Sequence, residues 1–389
     1  MNTAASGMRV VMFTPMKIRC GISDYSQLLI SALQQNSQIS HVSIIEPPKN
    51  AVVPSTIRAL AKYRALDRSY RAKARMTHLD MLDITHVQHQ YFFFGGVAGF
   101  KNHATTFYKS AKKPLVVTVH EIAMPPENCG RTVETVIRNA NRDNFLHPAI
   151  SHLIVHTSLD RERLLDMGAK PDRVIHIPMG IPPSADMPDV DFAKRQLNLA
   201  GKKVVTLFGF LARNKGHHAA LEMIQMLDDD VFLLLAGDQH PDDQTPYVET
   251  LKKMIEEMQL QNRVRITGFI PSEDIPTIMA ATDVAIAPFI KGSGSASLSQ
   301  LLGYGKAIIA SDIEPNREIA AHQPPPLLLF PSGDSRELAH LVQEMLKDVQ
   351  SRKALENRAL KFAKERSYQQ MAQQTVEVYR EAVAMQSGR

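Results

Sequence analysis

Short apolar runs of strand length alternate along most of the chain with segments whose apolar residues recur every three or four positions. The runs are typical of buried parallel strands, and the spacing of three or four is typical of amphipathic helices. The predicted strands lie at 8–14, 42–45, 84–90, 115–120, 152–157, 204–208, 232–236, 264–267, 283–289, 307–311 and 327–330. This repeated alternation predicts an α/β protein with doubly wound sheets.

A run rich in proline and glycine at 178–183 separates two stretches of this alternation. Such a run is typical of a linker, and it predicts a domain boundary near residue 185. We therefore expect an N-terminal domain over 1–185 and a C-terminal domain over 186–370. Residues 371–389 are expected to form a helix that packs back on the N-terminal domain.

The composition is that of an ordinary soluble protein of two or three domains, with 389 residues, 44% of them hydrophobic and 22% charged. Cys20 and Cys129 offer neither a disulfide framework nor a metal-ligand spacing, which suits a reducing compartment. The first residues lack the basic segment of a signal peptide, and no apolar stretch approaches the roughly 20 residues needed to span a bilayer. These features predict a cytoplasmic protein.

The positive charge lies in the N-terminal half, where residues 55–76 carry the main basic cluster. Apolar residues recur there every three or four positions, and the remaining faces carry Arg58, Lys62, Arg64, Arg68, Arg71, Lys73 and Arg75. Two interpretations stay open: a solvated helix that packs its apolar stripe on the sheet, or a helix in peripheral contact with the anionic inner face of a membrane. No nucleic-acid partner is expected, because no nucleic-acid motif accompanies the cluster.

The segment 283–312 contains a strand, a loop of glycine and serine, a short helix and a second strand. Glycines in the loop let the backbone approach a ligand, and the first amides of the helix are unpaired at the positive end of its dipole. The loop and helix start hold Gly292, Ser293, Gly294, Ser295, Ala296 and Ser297. The segment therefore predicts an anion site or, alternatively, an ordinary β–α loop with serine caps.

Three positions in the N-terminal half are candidates for the same or a neighbouring site. Gly21 lies at the first β–α turn, where it either brings amides against a phosphate or serves only the turn geometry. His89 and His120 end two predicted strands, and the carboxyl ends of parallel strands line the ligand crevice of such sheets. Either histidine is alternatively a hydrogen-bonded loop residue, and neither is placed with carboxylates as a metal ligand.

Several motifs together resemble the retaining GT-B glycosyltransferases of family 4, over nearly the whole chain. Gly209 with Lys215-Gly216 resembles the loop that binds the donor diphosphate, and Gly268, Phe269 and Ile270 resemble the segment whose backbone reads the nucleotide base. Residues 304–312 resemble the strand that follows the donor-binding helix, and residues 177–181 resemble the interdomain loop. His120 resembles the histidine that contacts the donor sugar.

Three positions depart from the family pattern. The family often carries two glutamates eight positions apart, where this chain has Gly292 and Gln300. Gln300 can still hydrogen-bond to ribose hydroxyl groups. Phe210 replaces an arginine of the phosphate loop, and Arg213 is the expected substitute.

The resemblance implies two Rossmann-like domains facing across a cleft, with the donor bound by the C-terminal domain and the acceptor by the N-terminal one. It implies transfer of a hexose with retention, from UDP-glucose first or GDP-mannose second, to a polysaccharide or lipid-linked glycan, without a metal or other cofactor. Arg213 and Lys215 would stabilise the leaving phosphate, and His120 would orient the sugar. The donor-binding residues would be Gly21, Gly209, Gly268, Phe269, Ile270, Gly292, Ser293, Gly294, Ser295, Ala296, Ser297 and Gln300.

Two other interpretations of the scaffold remain. The loss of both glutamates motivates a catalytically silent module that binds a nucleotide sugar or a partner. A hexose-nucleotide epimerase of similar form is disfavoured by the Lys-Gly phosphate loop.

Overall fold

The computed structural model describes residues 7–16, 20–48, 59–78, 82–97, 102–126, 128–239, 245–291 and 295–387. These residues form two compact units. One comprises the described residues up to Met179 together with those from Tyr368 onward, and the other comprises Gly180–Ser367.

The first unit is a parallel sheet of six strands flanked by helices. The strands are β1 (Met8–Phe13), β2 (Ile39–Ile45), β3 (Ile84–His89), β4 (Leu115–Val119), β5 (Ile150–Val155) and β6 (Val174–His176), in the order β2-β1-β3-β4-β5-β6. The helices between them are α1 (Gly21–Gln34), α2 (Ala59–Met76), α3 (Ala104–Ser110), α4 (Arg131–Phe145) and α5 (Ser158–Asp166).

The second unit repeats this plan with another parallel sheet of six strands. Its strands are β7 (Lys203–Phe208), β8 (Val231–Ala236), β9 (Val264–Ile266), β10 (Val284–Ala287), β11 (Ile308–Ser311) and β12 (Leu328–Phe330), in the order β12-β11-β10-β7-β8-β9. Its helices are α6 (Val190–Gln196), α7 (His217–Gln225), α8 (Tyr247–Glu257), α9 (Ile275–Ala281), α10 (Ala296–Gly303), α11 (Glu314–Ala320), α12 (Ser335–Lys347) and α13 (Val349–Glu365).

Both sheets are buried on their two faces, which explains why their strands are apolar runs and not alternating patterns. In β1, Val11 and Phe13 belong to one hydrophobic core, while Val10 and Met12 belong to another on the opposite face. This follows from the two-residue period of a strand. The two parallel sheets confirm the predicted α/β fold.

The last helix, α14 (Tyr368–Ser387), belongs to the first unit. Its buried residues Val376 and Tyr379 share a hydrophobic core with Leu29 and Leu33 of α1. The units divide at Met179 and at Ser367, whereas the sequence predicted boundaries at 185 and 370. The reason is that Ile181 is buried in the second unit and its amide donates to the Arg366 carbonyl at 2.7 Å.

We expect the substitution Val376→Asp to destabilise the first unit by about 3 kcal/mol or more, because an unpaired carboxylate would replace a fully buried methyl pair. The exposed neighbour Glu377 provides the control, since Glu377→Gln leaves the core intact and should change the free energy of unfolding by less than about 0.5 kcal/mol. Urea denaturation measures both. Equal stability of the two variants would contradict the packing of α14 on α1.

Candidate functional site

A glycine-containing loop after β7 approaches two neighbouring segments of the second unit closely. Gly216 has a φ of +73°, and a Cβ at this position would overlap the carbonyl oxygen of Pro288. Gly209 has a φ of +122°, and a Cβ there would lie 2.8 Å from the Cβ of Ser297 in the first turn of α10. Both positions therefore require glycine, for backbone conformation and for space. The loop is therefore held against the C-terminal end of β10 and the N-terminal end of α10.

Lys215 lies in this loop with its charge largely withdrawn from water. Its Nζ stands 3.9 Å from the centroid of the Phe289 ring and 3.4 Å from the hydroxyl oxygen of Ser295. Burial lowers the pKa of Lys215 to about 8. Among the described residues no carboxylate pairs with it. A buried ammonium group that lacks a carboxylate partner is prepared to bind an anionic ligand.

Arg213 lies beside an open depression at the same loop. The depression has a volume of about 430 Å³ and is lined by Arg213, Asn214, Thr245, Ile290 and Lys291. The guanidinium carbon of Arg213 stands 5.5 Å from the centroid of the Tyr247 ring. The loop is fixed from the other side by the Ile290 amide, which donates to the Asn214 carbonyl at 2.9 Å. Two cations, Arg213 and Lys291, therefore line one concave surface, and the described part of that lining contains no carboxylate.

The start of α10 supplies amide donors next to Lys215. Ser295 caps the helix through a hydroxyl that accepts from the Leu298 amide at 3.4 Å, and its oxygen lies 3.0 Å from that of Ser297. The amides of Ala296 and Ser297 have no intrahelical acceptor and lie at the positive end of the helix. The predicted residues Gly292, Ser293 and Gly294 lie outside the described residues.

The other predicted donor-binding residues of the second unit occupy different elements. Gln300 is half-buried on α10. Gly268, with a φ of +75°, follows β9 and accepts from the Thr267 hydroxyl at 2.8 Å. Phe269 is 48% exposed, whereas Ile270 packs partly into a core. The Thr267 hydroxyl also accepts from the Gly237 amide at 2.9 Å, so Gly268 lies by the end of β8.

In the first unit, His120 lies directly after β4 and is half-buried. Its Nε2 is 2.8 Å from Oε1 of Gln88, and its ring packs nearly perpendicular to that of Tyr25 at a centroid distance of 4.8 Å. Burial and the neighbouring His156 hold its pKa well below the usual value, so the ring is neutral at pH 7. Gly21 is exposed as the first residue of α1, after Cys20, which caps the helix.

The expectation that His89 faces a ligand crevice is wrong. Its side chain is fully buried, stacks on Phe94 at 5.2 Å between centroids, and has its Nδ1 2.8 Å from the Tyr108 hydroxyl. Burial lowers its pKa to about 3, which keeps the ring neutral. His89 is the last residue of β3, and its side chain points into the core. A position at the end of a strand therefore does not determine which way the side chain points.

Sequence reasoning missed the immediate surroundings of Lys215 and His120. Phe289 was assigned to a strand, but β10 ends at Ala287, and Pro288 begins the loop that brings the ring under Lys215. Gln88 lies within the predicted strand 84–90, for which the sequence predicted no role beyond the sheet. A usable signal existed, because His86 and Gln88 are polar residues at alternate positions of a strand that is buried along its whole length.

The described residues contain no group of three or more His, Cys, Asp or Glu side chains that could hold a metal ion. Within the same described residues, none of the helices combines the length and the apolar character required to cross a bilayer.

We predict that Lys215 makes anion binding depend on pH between 7 and 9. An anion favours the charged amine, so affinity falls as the amine of the free protein loses its proton above about pH 8. The dissociation constant of inorganic pyrophosphate should rise about tenfold from pH 7 to pH 9, relative to that of Lys215→Met. Isothermal titration calorimetry measures both proteins, and the variant corrects for titration of the ligand. If the ratio of the dissociation constants of the two proteins stays constant from pH 7 to pH 9, the role of Lys215 is contradicted.

Residues 189–362 match the protein family described as Glycosyl transferases group 1. Among curated proteins, the chain is 27% identical over 165 residues to the 2-deoxystreptamine glucosyltransferase of Streptomyces kanamyceticus, which covers 41% of each chain. It is 23% identical over 288 residues to the D-inositol 3-phosphate glycosyltransferase of Corynebacterium aurimucosum, covering 70% of this chain and 67% of that one. The match spans less than half the length of the first curated relatives.

Among solved structures, the chain resembles Anabaena Alr3699/HepE in complex with UDP-glucose. The TM-score is 0.73 at 20% identity, and the superposition covers 96% of this chain and 100% of that one. At this identity the likeness concerns the fold. The family match over residues 189–362 and the shared fold confirm the resemblance to GT-B glycosyltransferases that the sequence predicted.

Proposed function

We propose that the chain is a retaining glycosyltransferase that transfers a hexose from a nucleotide sugar to a polysaccharide or a lipid-linked glycan. The single observation that carries this proposal is the environment of Lys215. A buried amine lacking a described carboxylate partner lies within 3.4 Å of the Ser295 hydroxyl, beside the unpaired amides at the start of α10. Such an arrangement suits the negative charge of a sugar diphosphate.

The reaction explains why such donors must be in place beforehand. When the glycosyl bond to a nucleotide diphosphate breaks, negative charge grows on the leaving phosphate. Donors fixed in a site that excludes water stabilise that charge without reorganising at the moment of reaction. In this proposal Lys215, Arg213 and the amides of Ala296 and Ser297 hold the leaving diphosphate. The phosphate then accepts the proton of the attacking hydroxyl group, and configuration is retained.

The second unit is proposed to bind the donor and the first to bind the acceptor. Gly268, Phe269 and Ile270 would contact the nucleotide base, and Gln300 the ribose hydroxyl groups. UDP-glucose is the donor we propose first and GDP-mannose second. The support is limited to the family match and to the fold shared with Anabaena Alr3699/HepE, which has been solved in complex with UDP-glucose. His120 would orient the sugar, and no metal is assigned a role.

A lipid-linked acceptor is supported by the charge of α2. Four arginines follow one another at spacings of four, three and four residues, which places them on one side of the helix: Arg64, Arg68, Arg71 and Arg75. All four are exposed, while Leu66, Tyr70 and Ala74 on the opposite side are buried in the core. Of the four, only Arg71 pairs with a described carboxylate, that of Asp67 at 2.9 Å. We therefore propose that the protein is cytoplasmic and that α2 contacts an anionic membrane surface.

One observation favours a second function. Gly292 and Gln300 occupy the positions of two glutamates that the resemblance leads one to expect, so the chain could bind a nucleotide sugar without turning it over. The same Lys215 site would serve both functions, and turnover separates them.

We predict that purified protein releases UDP from UDP-glucose, or GDP from GDP-mannose, when a cell-extract glycan or glycolipid fraction is added. Lys215→Ala should lower the turnover rate by about 100-fold to 1000-fold, because removal of one preorganised donor costs about 3–4 kcal/mol. Lys252→Ala, which removes an exposed lysine of α8, is the matched control and should retain full activity. A nucleotide-release assay measures all three proteins. Tight nucleotide binding without release from any donor would favour the silent module.

We predict that the protein sediments with phosphatidylglycerol vesicles and not with phosphatidylcholine vesicles. The combined substitution of Arg64, Arg68 and Arg75 by Gln should weaken this binding by about 100-fold, since each cation near an anionic surface contributes about 1 kcal/mol. The control replaces three exposed lysines of α13, Lys353, Lys361 and Lys364, by Gln. Equal loss in both triple variants would show that only net charge matters and would contradict a specific role for α2.

A further inference from the structure

On one face of the first unit's sheet, a row of buried polar side chains connects His120 to α14. His86, Gln88, Thr118 and Tyr379 are each fully buried. Gln88 of β3 lies next to Thr118 of β4 in the strand register, so these side chains extend to the same face of the sheet. A buried polar group is costly unless it is hydrogen-bonded, so a row of them across a core requires explanation.

The neighbours of Gln88 determine which way its side-chain amide is oriented. Its Nε2 lies 3.7 Å from the sulfur of Met12 and 3.3 Å from Nε2 of His86. Because a thioether sulfur can only accept, the amide NH₂ group belongs on that side. The amide oxygen Oε1 therefore faces His120, at 2.8 Å from Nε2. An amide oxygen only accepts, so Nε2 of His120 carries the proton.

The same logic continues to the C-terminal helix. Nε2 of His86 receives the amide of Gln88 and lies 2.8 Å from the Thr118 hydroxyl, so it is the unprotonated nitrogen of that ring. Nδ1 of His86 then carries the proton and donates to the Tyr379 hydroxyl at 2.6 Å. Tyr379 of α14 is thereby linked to His120 through two intervening side chains.

From this arrangement we propose that Gln88 is a positioning residue, which holds His120 in the neutral tautomer whose Nδ1 accepts a hydrogen bond from a sugar hydroxyl group. His86 and Tyr379 hold Gln88 in turn. The assignment of a sugar as ligand rests on the proposed function, whereas the tautomer of His120 does not. The last helix thus helps to orient His120 as well as packing in the core of the first unit.

The groups that face His120 do not favour the charged ring. His156 lies 5.7 Å away between ring centroids, and its Nδ1 is 2.7 Å from the Ile177 carbonyl oxygen, to which it donates. Burial lowers the pKa of His156 to about 4, so its ring is neutral as well. The neighbouring Glu121 carboxylate lies 2.7 Å from the side-chain nitrogen of Gln90. The plane of the Tyr25 ring stands at 86° to that of His120, and His86 and His89 are further titratable neighbours.

The first experiment reads the tautomer directly, by two-bond ¹H–¹⁵N NMR of protein labelled at histidine, with His120 assigned from the spectrum of His120→Gln. We expect Nε2 of His120 to be protonated and Nδ1 unprotonated in the natural protein. In Gln88→Leu, which removes the amide oxygen, this preference should be lost and donor turnover should fall about tenfold. An unchanged tautomer in folded Gln88→Leu would overturn the proposal.

The second experiment uses Gln88→Glu, which keeps an acceptor opposite Nε2 but adds a negative charge. An opposite charge at this distance raises the pKa of His120, so Nδ1 becomes protonated as the pH falls. Donor turnover should then drop about tenfold between pH 8 and pH 6 in Gln88→Glu, while the natural protein stays nearly constant. The same NMR spectrum should show His120 titrating in that range. A His120 that titrates as in the natural protein would contradict the direct contact with residue 88.

Tyr379→Phe tests the far end of the row without altering the strands. It should lower the population of the Nε2-protonated form of His120 and reduce turnover severalfold. Tyr108→Phe is the matched control, because it removes the same kind of bond, from a buried tyrosine to Nδ1 of His89, and has no hydrogen-bonded connection to Gln88 among the described residues. Equal effects of both on His120 would overturn the role of Tyr379. The protein could show the expected tautomer changes and yet turn over no donor. That result would support the positioning role of Gln88 and would contradict only the proposed function.

Discussion

A largely buried cation that has no carboxylate partner among the described residues is the feature on which the candidate site depends. Burial lowers the pKa of Lys215 to about 8, so the folded protein carries an energetic cost at neutral pH that an opposite charge would relieve. The Phe289 ring offsets part of this cost, because the face of an aromatic ring attracts a cation. The remainder is available to an incoming anion, and the adjacent amides of α10 have the same preference.

The fold explains how this arrangement is kept in place. Loops after β7 and β10 meet where Gly216 lies against Pro288, and Gly209 lies against Ser297 at the start of α10. Since both contacts involve backbone or Cβ atoms, the distances among the three segments leave little freedom. The parallel strands that carry these loops are buried on both faces, and their carboxyl ends are where open α/β sheets bind ligands. The positions of Lys215 and of the α10 amides therefore follow from the sheet.

The sequence was sufficient for features that depend on local pattern. Strands buried on both faces read as apolar runs, which the two sheets bear out. The anion loop at Gly209, Lys215 and Gly216 came from the family resemblance and stays a prediction. Tertiary contacts could not be predicted from the sequence. Phe289 reaches Lys215 only because the chain turns at Pro288, and His89 points to the core although its neighbour His120 is half-buried. The polar residues His86 and Gln88 on one face of β3 carried a signal, but their partner Tyr379 lies nearly 300 positions away in the chain.

The most direct measurement of the central claim is a crystal structure of the protein with UDP-glucose bound, together with that of Lys215→Met under the same conditions. The account predicts that the diphosphate lies within hydrogen-bond distance of the Lys215 amine and of the first amides of α10 in the natural protein. In Lys215→Met the ligand should be absent or weakly occupied at the same concentration. A diphosphate bound elsewhere, or bound equally well without the amine, would contradict it.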